Sequence, residues 1–131
     1  MKRRRIQWLV VMLAMLALAT LPSCGFKRKL VSITLIPDTA TLAGPGVELQ
    51  FQAIGNYVHP PDSRDITDSV AWNSAAPQVV TIDKNGLATS QLGCGTDITI
   101  TATGHTDPHD DSSGVVVATA AVTVTQPGCV P

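Results

Sequence analysis

Thr96-Asp97-Ile98-Thr99-Ile100-Thr101-Ala102-Thr103 decides the fold. Ile98, Ile100 and Ala102 alternate with Asp97, Thr99, Thr101 and Thr103. A period of two sends successive side chains to opposite faces, so this is a strand with one buried and one wet face. The same period recurs on both sides. In residues 47–53, Val47, Leu49, Phe51 and Ala53 face one way, and Glu48, Gln50 and Gln52 the other. In residues 116–125, Ala118, Ala120, Val122 and Val124 oppose Thr119, Thr123 and Thr125. Residues 30–36 put Val31, Ile33 and Leu35 on one side. Residues 69–73 offer Val70 and Trp72 inward, and residues 78–83 carry Val80 and Ile82. Branched Val, Ile and Thr pack well on a pleated surface.

Breakers separate these runs. Gly44-Pro45-Gly46 turns the chain, Pro60-Pro61-Asp62 marks a loop, and Asn85-Gly86 is a strong turn signal. Residues 104–114 are too polar for a core strand. Six or seven short strands at this spacing, each with one polar face, predict an all-β fold, a β-sandwich. Aromatics are scarce beyond residue 25: Phe26, Phe51, Tyr57 and Trp72. Trp72 is therefore expected to anchor the core.

The N-terminus has a different grammar. Lys2, Arg3, Arg4 and Arg5 precede a run of 12 apolar residues, 8–19, and then Leu21-Pro22-Ser23-Cys24. A span needs about 20 apolar residues, so the run suits a signal better than a membrane helix. Leu21-Pro22-Ser23-Cys24 resembles the lipobox of bacterial lipoproteins. The resemblance implies that residues 1–23 are removed and that Cys24 becomes residue one. Cys24 then carries a diacylglycerol and an acyl chain such as palmitate; no other cofactor is expected. Gly25, in place of a retaining aspartate, implies the outer membrane of the cell envelope.

What remains, 108 residues, suffices for one domain. Residues 24–29 read as a tether whose Lys27-Arg28-Lys29 cluster suits an anionic membrane surface. Residues 30–131 hold only Arg64 and Lys84 against all ten acidic residues, about −8. Such a surface does not suit nucleic acid, which needs basic contacts to phosphate. With Cys24 lipidated, Cys94 and Cys129 are left as a pair. An isolated pair in an exported chain is expected to form a disulfide. The two flank the strands at residues 96–103 and 116–125, so an antiparallel hairpin would bring them to one end.

Asp65-Ile66-Thr67-Asp68-Ser69-Val70-Ala71-Trp72-Asn73-Ser74 resembles the middle of a bacterial Ig-like domain, group 2, the module of intimin- and invasin-type adhesins. The run from Pro77 to Thr89, the segment from Gly95 to Thr103 and Val122-Thr123-Val124-Thr125 resemble its later strands, in order. The likeness covers residues 30–125. It implies an Ig-like β-sandwich of about seven antiparallel strands over residues 30–131, working in cell adhesion, binding or display.

No catalytic set is apparent. His59, Asp62 and Ser63 lie close in sequence, but no strained nucleophile turn or oxyanion hole accompanies them. His105, Asp107, His109, Asp110 and Asp111 are metal-capable residue types whose spacing matches no cation loop; they read as a solvated hairpin tip. Asp65, Thr67 and Asp83 read as turn-closing residues. The expectation is a non-catalytic envelope module with an unknown protein or glycan partner. The alternatives are a carbohydrate-binding module, for which Tyr57 and Phe26 would be the stacking aromatics, and a structural accessory subunit of an envelope complex.

Overall fold

A computed structural model describes residues 2–18, 25 and 27–129. Helix α1 (Lys2–Leu18) is followed by ten strands. They are β1 (Lys29–Ile36), β2 (Thr39–Ala43), β3 (Glu48–Gln50), β4 (Gln52–Val58), β5 (Asp62–Asp65), β6 (Ala71–Ser74), β7 (Val80–Ile82), β8 (Leu87–Ser90), β9 (Gly95–His105) and β10 (Val115–Thr125). A 3-10 turn, Thr67–Ser69, sits between β5 and β6. Among the described residues, no helix is long and apolar enough to cross a membrane.

The strands form three sheets: β1-β4-β5, β2-β10-β9-β6 and β3-β8-β7. The fold is all-β. β3 and β4 are one run of chain interrupted at Phe51, whose N–H donates to the carbonyl of Gly86 at 2.8 Å. This joins two of the sheets. The β9–β10 hairpin is the longest ladder, running from Val115 opposite His105 to Val124 opposite Gly95.

One core gathers the inward side chains of all three sheets. Leu35, Phe51, Val80, Ile100 and Val122 are among its members. The strongest alternations, those of residues 47–53, 96–103 and 116–125, supply the inward positions that the sequence pattern indicates. Among the described residues Phe51, with no exposure, is the fully buried aromatic. Trp72 is half-buried against the core, its ring 6.3 Å from that of Phe51. Its indole N–H donates to the Thr67 carbonyl at 2.9 Å. The aromatic centre of the core is thus Phe51, with Trp72 at its margin. The Trp72 polar edge needs a partner, which it finds in the 3-10 turn.

Four local expectations are corrected. In β1 the pairing with β4 shifts between Leu30 and Ser32, so Leu30, Ile33 and Leu35 are buried and Val31 is exposed. A bulge inserts one residue and flips the face of those before it. β2 lies within what reads as a connection, and it pairs parallel to β10, so the strands are not all antiparallel. β5 occupies the supposed loop after Pro61, paired to β4. Gly104 and His105 continue β9, where Gly104 is buried beside Ile33 and Leu30.

β1 also sets a direction. It enters with Lys29 opposite Val58 and leaves with Ile36 opposite Gln52. Eight residues of strand cover about 26 Å. The tether therefore joins one end of the domain, and Gln52 lies about one strand length away.

Candidate functional site

Gln52 borders an open cleft of about 540 Å³. Gln50 and Gln52 come from the wet face of β3 and β4, Asn85 from the β7–β8 turn. Asp65, Thr67, Asp68 and Ser69 complete it from the end of β5 and the 3-10 turn. Every lining residue is polar, and none is cationic.

Two hydrogen-bond systems hold its sides. In the first, the Asp65 carboxylate accepts the Thr67 N–H at 2.9 Å and also the Thr67 hydroxyl. That hydroxyl in turn accepts the N–H of Ala53 at 3.0 Å. These bonds hold the Asp65 carboxyl below the usual aspartate range, the Thr67 hydroxyl contributing most. In the second, the Asp83 carboxylate accepts the N–H groups of Asn85 at 2.8 Å and Leu87 at 2.9 Å. The Gln50 amide donates to the carbonyls of Phe51 at 2.8 Å and Asn85 at 2.7 Å, tying the turn to β3. Gly86 completes that turn at φ +77.

By contrast, the side chains of Gln52, Asp68, Ser69 and Asn85 make no hydrogen bond among the described residues. All four are exposed. The cleft thus combines side chains bonded within the domain with side chains open to solvent.

The residues singled out from sequence fall elsewhere. Cys94 and Cys129 come together as a disulfide with Cα atoms 6.1 Å apart, at the β10 terminus of the hairpin. There the Gln126 amide donates to the carbonyls of Gln91 at 2.6 Å and Gly93 at 2.8 Å. The buried Ser90 hydroxyl donates to the Gly44 carbonyl at 2.6 Å and accepts the Val47 N–H at 2.9 Å. Leu92 stands 88% exposed on this well-tied end.

His105, Asp107, His109, Asp110 and Asp111 lie at the opposite terminus of the hairpin. Asp107 accepts the His109 N–H at 3.0 Å, and Asp110 accepts the Ser112 N–H at 2.9 Å. The Ser112 hydroxyl also donates to Asp110 and is the chief cause of that carboxyl's lowered pKa. Among the described residues no three His, Cys, Asp or Glu side chains converge as a metal set. Lys27 of the tether lies 4.0 Å from Asp107. Leu30 donates its N–H to the Thr106 carbonyl at 2.8 Å, fixing the tether beside this tip.

His59, Asp62 and Ser63 form no triad. Ser63 donates to the Asn56 side chain at 2.8 Å, and Asp62 pairs with Arg64. Arg64 holds the Asp62 carboxyl below its ordinary range, with a smaller contribution from Arg28. Tyr57 is half-buried against the core, and Cys24 and Phe26 lie outside the described residues.

Sequence reading missed the cleft as a unit. Gln50 and Gln52 read as an ordinary wet strand face, and Asn85 as a turn residue. Their meeting depends on β3 pairing with β8, with Gln50 opposite Leu87. A scan against models of known protein families finds no match, and neither does a search of curated proteins.

Proposed function

We propose that the chain is a non-catalytic binding or display module, held on the bacterial envelope by a lipid at Cys24 and built as an Ig-like β-sandwich. The observation that carries the reading is the order of parts along the chain. A basic start and a short apolar segment lead to Ser23-Cys24, and a β domain begins five residues later at Lys29. Several features support it. The pairing order β2-β10-β9-β6, set against β1-β4 and β3-β8-β7, suits an Ig-like sandwich. The Cys94–Cys129 disulfide suits an oxidising compartment. The basic tether enters beside the β9–β10 tip, about one strand length from Gln52 of the polar cleft.

The test is the intact mass of the protein purified from native membranes without reductant. The expected mass is residues 24–131 with a diacylglyceryl group and an acyl chain, less two hydrogens. A lipid-free mass, or a chain that retains residues 1–23, would overturn the anchored reading.

A further inference from the structure

We propose that the cleft between the β7–β8 turn and the 3-10 turn binds a neutral saccharide through direct hydrogen bonds, without an aromatic stacking platform. The inference deepens the binding-module reading by naming a ligand class, and it rests on that reading only for where the ligand is met.

The cleft's chemistry narrows the ligand. Its lining residues are all polar and most of its surface is polar, which leaves an apolar peptide or lipid tail little to bury against. Asp65 and Asp68 bring negative charge and no lining residue is cationic, so a phosphate, sulfate or uronate would be repelled. A ligand that is uncharged and rich in hydroxyls fits both constraints.

The free groups match such a ligand. The Asn85 and Gln52 carboxamides each offer donors and an acceptor side by side, the Asp68 carboxylate accepts, and the Ser69 hydroxyl does both. Adjacent sugar hydroxyls present the complementary pattern of one donor beside one acceptor. The turns that carry Asn85, Asp68 and Ser69 are held in place. Gln50 and Asp83 hold the Asn85 turn, while Asp65 and Ala53 hold the Thr67 turn. The turn backbones then need no ordering on binding, and the cost that remains is fixing the four exposed side chains. An open cleft without stacking gives weak affinity, so discrimination between sugars lies in hydroxyl geometry.

The experiment is isothermal titration of the full protein, purified from membranes in detergent and kept in EDTA. The probes are β-1,4-glucan, α-1,4-glucan, β-1,3-glucan and β-1,4-mannan hexaoses, with hexagalacturonate as the charged control. The expected result is binding of at least one neutral hexaose and weaker or no binding of the uronate. Asn85→Ala and Gln52→Ala each lower that affinity tenfold or more, while Thr119→Ala, on the outer face of β10, leaves it unchanged. Thermal melts of all three variants show that the fold is intact. No binding of any neutral hexaose, equal binding by the cleft variants, or preference for the uronate overturns the proposal. A lipid-free mass would overturn the anchor and leave this result standing.

Discussion

Asp65 and Thr67 are locked together twice, through the Thr67 N–H and the Thr67 hydroxyl, both donated to one carboxylate oxygen. The hydroxyl also accepts the N–H of fully buried Ala53. One side chain therefore closes the turn beside the cleft and satisfies a buried backbone donor of β4.

Thr67→Val keeps the shape of that side chain and removes its oxygen. The Ala53 N–H is then left buried and unpaired, which costs about 1–3 kcal/mol. Thr67→Ser retains the oxygen and should cost less than half as much. Urea unfolding of the two variants beside the parent checks this. Equal losses would show that the methyl group, and not the hydroxyl, is what matters.

Acid should weaken the domain through a small set of carboxylates. Asp62, Asp65 and Asp110 all have pKa values below the ordinary aspartate value, caused chiefly by hydrogen bonds from Arg64, Thr67 and Ser112. A carboxyl whose pKa is lowered in the folded state binds its proton more readily when unfolded. Its contribution is present above the unfolded value, about 3.9, and is lost as pH falls through the folded one. Melting temperature is thus expected to be flat across pH 5–7 and to drop below about pH 4. Asp65→Asn should shallow that acid limb. An unchanged limb in this variant would assign the loss to other groups.

Gly86→Ala tests the other side of the cleft. Gly86 has φ +77, and an added Cβ would stand 2.7 Å from the Phe51 carbonyl oxygen and 3.1 Å from both Thr67 and Trp72. Left-handed backbone costs a residue with a Cβ about 1–2 kcal/mol, and the clash with backbone adds to it. The expected destabilisation is at least about 2 kcal/mol by chemical denaturation. A variant as stable as the parent would mean that the turn relaxes freely.

How far the fold was legible follows from where its information resides. The strands with clean alternation, such as β9 and β10, were legible because one buried face imposes a period of two. β2 was not, since Thr39–Ala43 is short and half-polar and is held by parallel pairing to β10, some 80 residues on. β1 was legible as a strand, but its face was not. The bulge at Val31 exposes an apolar residue that alternation places inside. At the cleft, Asp65 and Asp83 were readable as turn-closing residues because their bonds are local. The partnership of Gln50 with the Asn85 carbonyl spans 35 residues and leaves no local signal.

The Cys94–Cys129 bond should matter more to stability than any single polar contact at its end of the domain. It encloses a loop with a sequence separation of 35. In the chain-entropy treatment, closing such a loop restricts the unfolded chain by about 3–4 kcal/mol. For a domain of this size that corresponds to a fall of roughly 10–20 °C in Tm for the Cys94→Ser, Cys129→Ser double variant. Gln126 still holds the carbonyls of Gln91 and Gly93, so the tail should remain docked in the folded state. Calorimetry gives the Tm, and hydrogen exchange at Gln126 tells whether the tail stays in place. A loss of only 1–2 °C would show that the unfolded chain is already compact there and gains little from the crosslink.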